Sequence, residues 1–294
     1  MKKDYRKTII KVCISGFLII YLFNSIDKEA FLKNLASMNI SYFPLIFSLV
    51  VINYFISSVR WKKIISIFEN NHKASLFTLV KLYFIGAFFN NFLPTSVGGD
   101  VYKAISLGRI IGNKANAFAS TFMERFSGVV VLGLLSVFGL VSTFGKMGFF
   151  VVALITFGGF FVFYLLKAFG KRFSKIKSFN ESLAKYKHHK DVLFYAVFTS
   201  VFVQVCSVLT QYFIFRSLQA DVSLFYAFFA FPVIILASFI IPSQNSFGVQ
   251  DALYAAFFLN AGISVEVSLS ASVIYHVIRL IVSMLGGLFY AIDR

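Results

Sequence analysis

The sequence predicts an all-α polytopic membrane protein with about six full spans plus two re-entrant helical hairpins arranged as an inverted repeat, and three observations carry that prediction. Mean hydropathy is +0.81 and only 14% of residues are charged, too little polar surface to cover a soluble domain. Apolar runs long enough to cross roughly 30 Å of hydrocarbon, about 20 residues each, recur along the chain. Two more apolar runs end in polar stretches bearing proline and glycine, "FFNNFLPTSVGGDVYKA" and "IIPSQNSFGVQDALYAAFF".

The first predicted span, residues 8–24, follows Lys2, Lys3, Arg6, Lys7 and Lys11 and so has the outline of a signal peptide. No small-x-small cleavage site precedes the charged stretch "DKEA", so it is expected to stay as an anchor. The second span is 42–59. The run 76–93 comes next, and here counting crossings matters. If every apolar run crossed fully, Lys103, Arg109 and Lys114 would fall opposite Arg60, Lys62, Lys63 and Lys73, against the positive-inside rule. The conflict disappears if 76–93 enters, turns at "PTSVGGD" and returns through 101–111.

Spans 115–143 and 149–166 follow. Then comes a connector, 167–190, with eight Lys or Arg against the single acid Glu181. It reads as an amphipathic cytoplasmic segment, serving as a topology signal or as a contact for anionic lipid. Span 192–215 leads to a second hairpin, with 224–241 entering, a turn at 242–248 and 249–259 returning, and the last span is 264–291. Pro94 and Pro242 stand 148 positions apart, about half the chain, and both halves read span, span, hairpin, span. The expected organisation is one integral membrane domain, 1–294, with repeats of roughly 1–145 and 146–294. Three full crossings per half is an odd number, so the second copy is inverted. Of 28 Lys and Arg, this topology leaves Lys28, Lys33, Lys146 and Arg216 outside, Arg125 and Arg279 within the membrane, and both termini cytoplasmic.

Irregular backbone at membrane depth must be shielded by protein or line a wet cavity, because an unsatisfied N–H or C=O in lipid costs several kcal/mol. The hairpin tips therefore predict a polar central cavity. Thr95, Ser96, Gly98 and Gly99 at one tip, and Ser243, Asn245, Ser246 and Gly248 at the other, each precede a short helix whose free N–H groups and dipole favour an anion such as a lipid phosphate. Asp100 and Asp251 lie beside those helix starts, either as caps or as part of the site. The other intramembrane charges are Glu124, Arg125 and Arg279, and each requires a partner. Opposite sign and shared depth pair Arg125 with Asp100 and Arg279 with Asp251 or Glu124; a purely structural ion-pair network is the competing reading. Three acids then face two bases. His276, one helical turn before Arg279, either titrates beside it or packs as a neutral ring. Gln204 and Gln211 share a side of one span, as cavity lining or as interhelical glue.

Cys13 and Cys206 lie far apart in apolar runs and read as buried free thiols. A net charge of +16 in this setting reflects topology and anionic lipid, not nucleic acid. No HExxH, GxSxG, Walker or dinucleotide motif occurs, so the sequence does not argue for an enzyme, a metal or a cofactor.

The stretches "FFNNFLPTSVGGDVYKA", "ASTFMERFSGVVVLGLL" and "IPSQNSFGVQDALYAAFF" resemble the lysylphosphatidylglycerol synthase transmembrane-region family, the flippase domain of multiple peptide resistance factors. The resemblance implies a bacterial or archaeal inner-membrane protein with re-entrant helices that handles lipids, some members moving aminoacylated phosphatidylglycerol between leaflets. Carried over by motif, it makes Asn91, Pro94, Gly98, Gly99, Asp100, Glu124 and Arg125 the first candidates. The second turn departs from the family pattern: Asp251 stands where a glutamate is usual. Synthase members continue into a soluble aminoacyl-transferase domain, whereas this sequence stops at Arg294 after its last span, so synthase activity is not expected.

The leading expectation is a lipid flippase or transporter moving a phosphate-containing lipid through the central cavity. The alternative is a membrane partner or enzyme presenting a polyprenyl-phosphate glycolipid or a phospholipid to a separate transferase. Expected partners are anionic or zwitterionic membrane lipids and, on the alternative reading, that transferase; a homo-oligomer is compatible with the sequence.

Overall fold

The computed structural model describes residues 20–22, 24, 26–92, 98–144, 174–241, 243 and 245–293, and their regular structure is all helical. The predicted span 149–166, nearly all of 8–24, and the turn residues Pro94, Thr95, Ser96 and Pro242 lie outside the described residues. Among the described residues four helices are long and apolar enough to cross a membrane, Ile40–Ile65, Lys114–Val137, Lys190–Ser217 and Val265–Ile292, matching the expected spans 42–59, 115–143, 192–215 and 264–291. The chain is a multi-pass membrane protein.

In chain order the helices are α1 Lys28–Ala36, α2 Phe43–Ile65, α3 Leu76–Phe92, α4 Gly98–Ile110, α5 Lys114–Phe144, α6 Ser174–Lys185, α7 Lys190–Ser217, α8 Leu224–Ile240, α9 Val249–Leu259 and α10 Val265–Ile292. Local chemistry explains their starts. Asp27 accepts from the N–H groups of Glu29 and Ala30 to cap α1, Pro44 sits in the first turn of α2, and Ser264 accepts from Val267 N to open α10. Helices α3 and α8 have 17 residues, about 26 Å at 1.5 Å per residue, while α4 and α9 reach only about 20 and 16 Å. These short helices cover the segments 76–93, 101–111, 224–241 and 249–259.

Packing follows an exchange between halves. Helix α2 lies along α7; α3 packs on α10 as α8 packs on α5; α4 packs on α3 and α5 as α9 packs on α8 and α10. Swapping α2 with α7, α3 with α8, α4 with α9 and α5 with α10 leaves that pattern unchanged. Two glycines allow the α3–α10 and α8–α5 crossings. A Cβ at Gly286 would lie 2.0 Å from Phe84 O, and one at Gly139 would lie 2.6 Å from Phe229 O, so in each case backbone meets backbone with no room for a side chain.

Phe215, Phe231, Tyr254 and Phe258 interlock where α7, α8 and α9 meet, with ring centroids 4.2 Å apart for Phe215 and Phe258. Outside, Phe194, Phe198 and Phe202 recur every fourth residue of α7 and are exposed, as suits a face whose solvent is hydrocarbon. The basic connector is not a free surface helix along its described length. Ser182 Oγ on α6 donates to Asn116 Oδ1 at 2.8 Å, and Tyr186 OH donates to Ile64 O at 3.1 Å, which docks it on α5 and α2.

Substitution at the tight crossing separates packing from propensity. Gly286→Ala is expected to cost roughly 1–3 kcal/mol through overpacking, whereas Gly133→Ala, with no heavy atom within 4 Å, is expected to be neutral or to stabilise by up to about 1 kcal/mol. Thermal unfolding in detergent micelles measures both, and equal effects would remove the close-approach explanation.

Candidate functional site

The first half gathers its charges around Glu124, whose side chain is 1% exposed. Residues 124 and 125 are neighbours on α5, so they point in different directions. Glu124 turns inward: Oε1 accepts from Arg60 Nη2 and, at 2.7 Å, from Tyr83 OH, while Oε2 faces Lys103 Nζ at 3.5 Å. Arg60 Nη1 also donates to Ser200 Oγ of α7 at 2.7 Å. Lys103 lies over the Tyr83 ring at 4.0 Å and the Trp61 ring at 5.2 Å, so its ammonium is held by two π faces as well as by carboxylates. One turn earlier on α4, Asp100 Oδ1 takes Lys103 Nζ at 3.1 Å and Arg125 Nη2 at 2.8 Å. Arg125 is the open member of the network, with 41% of its side chain exposed.

Gly99 sets the depth of α4. A Cβ there would lie 1.8 Å from Gly86 O, and Gly99 N donates to Asn90 Oδ1 at 2.8 Å, closing α3 onto α4. Gly98 opens α4, and the next residue of α3, Asn91, looks across to the other half. Asn91 Oδ1 accepts from Asn245 Nδ2 at 2.5 Å and Asn91 Nδ2 donates to Ser283 Oγ at 2.7 Å. The end of α3 and the second turn therefore meet side chain to side chain.

The second half holds its acid differently. Gly248 has φ +78°, a conformation suited to glycine, and begins α9; Asp251 Oδ2 accepts from Gly248 N at 2.7 Å. Asp251 Oδ1 accepts from Ser272 Oγ at 2.5 Å and faces His276 Nε2 at 3.4 Å. Phe247 stacks on the His276 ring with centroids 4.1 Å apart. Asn245 and Ser246 also take positive φ, 49° and 69°, and Ser243 Oγ is buried without a hydrogen-bond partner.

Arg125 meets Asp100, as charge and depth suggested, but the expected pairing of Arg279 with Asp251 or Glu124 is wrong. Glu124 is engaged by Arg60, Lys103 and Tyr83, and Asp251 folds back onto its own helix start. Among the described residues no carboxylate reaches Arg279. Its Nη2 lies 3.5 Å from Asn245 Oδ1, and its guanidinium stands 5.4 Å from the Tyr275 ring. Arg60 and Lys103 were assigned to the cytoplasmic side; both are buried. With them the buried and partly buried charges of this region are four bases to three acids. Lys103 had a legible signal, three residues after Asp100 on the same helix face; Arg60, at the edge of its apolar run, had none.

Arg279 borders Asn245, which bonds to Asn91 near the end of α3, and Arg125 pairs with Asp100 in the first turn of α4. Gln204 and Gln211 act as glue: Gln204 Nε2 donates to Gly128 O at 3.4 Å, and Gln211 Oε1 accepts from Tyr254 OH at 2.5 Å. Cys206 is a free thiol. Among the described residues no three of His, Cys, Asp and Glu converge as metal ligands would.

Residues 8–287 match the family described as the lysylphosphatidylglycerol synthase TM region, and the chain belongs to that family. It is also similar to the "UPF0104 membrane protein MJ1595" of Methanocaldococcus jannaschii, 22% identical over 98% of this chain and 96% of that protein.

The burial gradient within the network orders its energetics. Glu124→Ala leaves Arg60 and Lys103 buried without their shared carboxylate and is expected to cost about 3–5 kcal/mol. Asp100→Ala, whose main partner Arg125 is already two-fifths exposed, is expected to cost roughly 1–2 kcal/mol. Unfolding titrations in mixed micelles give both values, and the reverse order would show that Glu124 is not the hub.

Proposed function

We propose that this family member is a lipid flippase or transporter that passes a phosphate-containing lipid, such as phosphatidylglycerol or an aminoacyl derivative, between leaflets through a central polar space where the end of α3 meets the second turn. The observation that carries the reading is the pair of partly exposed arginines, Arg125 on α5 beside Asp100 and Arg279 on α10 beside Asn245, with no carboxylate on Arg279 among the described residues. A lone cation in an apolar surround is costly, and a phosphodiester satisfies a guanidinium with paired, charge-assisted hydrogen bonds.

Several observations support the arrangement around that pair. Arg125 and Arg279 stand 154 positions apart, and so do Asn91 and Asn245, which bond to each other. The packing exchange between halves is what an inverted repeat of roughly 1–145 and 146–294 produces, with the short arms α3–α4 and α8–α9 as re-entrant hairpins. Alternating access then follows from rocking one half against the other while the acyl chains stay in the bilayer. The head group is held by Arg125 and Arg279, and Asp100 balances Arg125 when the site is empty. Basic residues gathered at the connector and near the first span fit a prokaryotic inner membrane with cytoplasmic termini.

Leaflet exchange in proteoliposomes tests the reading, with labelled phosphatidylglycerol, its lysyl derivative and a polyprenyl phosphate as probes. Exchange of one of them is expected, and Arg279→Gln is expected to slow it about tenfold to a hundredfold, the loss of a hydrogen bond to a charged group, with unfolding temperature unchanged. Absence of exchange for all three would sink transport and favour presentation of a lipid to a transferase.

A further inference from the structure

Beside the second turn lies a cavity of about 320 Å³ that the contacts described above do not use. Leu22, Leu269, Val273 and Leu280 line it with carbon, and Asp251 and His276 border it, both more than nine-tenths buried. Asp251 is occupied by Gly248 N and Ser272 Oγ. His276 Nε2 is not: it is buried and makes no hydrogen bond, standing 3.4 Å from Asp251 Oδ1 as an ion-pair contact only. The Phe247 stack fixes the plane of the ring.

Position along α10 gives these groups an order. Arg279, His276, Val273 and Leu269 follow one another at three- and four-residue steps, so they share one helix face at spacings near a turn, about 5 Å. From one end to the other the face reads cation, hydrogen-bond donor, hydrocarbon. A glycerophospholipid reads the same way: phosphate, ester carbonyl a few bonds away, acyl chain. The cavity is also continuous with the lipid-facing surface, because its wall residues Val277 and Leu280 join exposed Ile281, Met284 and Leu288. An acyl chain can enter from the bilayer without crossing a polar barrier, and an ester carbonyl drawn to this depth finds in His276 the donor that water supplies elsewhere.

We infer that α10 seats a glycerophospholipid lengthwise, with its phosphate at Arg279, an ester carbonyl accepting from His276 Nε2–H, and one acyl chain in the cavity along Val273 and Leu269. The inference rests on the lipid-transport reading and names the side of the site on which the lipid binds. It selects ester-linked diacyl lipids over ether-linked ones, since an ether oxygen is a far poorer acceptor than a carbonyl.

The test is photolabelling of the full chain in phosphatidylcholine–phosphatidylglycerol vesicles with a phosphatidylglycerol that carries a diazirine midway along one chain. Labelled peptides are mapped by mass spectrometry. Label is expected to concentrate on the α10 segment holding Leu269, Val273 and Val277. The ester-linked probe should label it about tenfold more than its ether-linked counterpart, a preference of about 1.4 kcal/mol. Val273→Trp, which fills the cavity, should remove that label and leave labelling at Phe194, Phe198 and Phe202 unchanged. His276→Phe, which keeps the stack on Phe247, should abolish the ester preference. Label spread evenly over the α7 and α10 faces, or equal labelling by the two probes in the wild-type protein, overturns the seat. Concentrated, ester-selective labelling without leaflet exchange would leave the seat standing and remove transport.

Discussion

A carboxylate surrounded by hydrocarbon keeps its charge only if cations are brought to it, and Glu124 imposes that requirement on the whole first half. Arg60 comes from α2, Lys103 from α4 and the Tyr83 hydroxyl from α3, so four helices including α5 meet at one carboxyl group. Ser200 holds the far side of Arg60 and adds α7. Sliding α4 by one turn, about 5.4 Å, would pull Lys103 off Glu124 and off the Tyr83 and Trp61 rings, and Asp100 off Arg125. The position of α4 is thus set by electrostatics, and Gly99 against Gly86 lets the backbones of α3 and α4 close on it.

The second half keeps the packing and drops the electrostatics. Gly139 against Phe229 and Gly286 against Phe84 make the same kind of crossing in the two halves. Yet Asp251 bonds to a backbone N–H, a serine hydroxyl and the neighbourhood of a histidine, and Arg279 keeps only Asn245 and an aromatic face. Shape is shared between the halves while charge is not. The uncommitted cation therefore lies on α10, next to the apolar cavity.

The sequence made the elements legible because hydrophobic length and interruption are local signals. Spans 42–59, 115–143, 192–215 and 264–291 stand out from their flanks, and the prolines and glycines at each turn mark where the arms end. The Asp100–Arg125 contact was legible because both charges lie in apolar runs on adjoining elements. The contacts of Arg60 and Lys103 with Glu124 were not expected, because the positive-inside rule counts basic residues by chain position, whereas a long side chain at the end of a span reaches back into the protein. Arg279 was mispaired because the direction of the Asp251 carboxylate depends on Gly248 at φ +78°, a backbone angle that the letters "SFGVQD" do not announce.

Magnitudes decide which side can move on the transport reading. Shifting α4 against α5 breaks buried ion pairs, about 3–5 kcal/mol for each carboxylate left alone. Shifting the second turn against α3 exchanges the Asn245–Asn91 bond and the long Asn245–Arg279 contact, neutral or weak interactions of about 1 kcal/mol each. A bound phosphate offsets the second cost by giving Arg279 a partner it lacks, while in the first half Arg125 already has Asp100. The first half is then the fixed frame, and the second turn, with α10 beside it, is the element whose position a lipid head group biases.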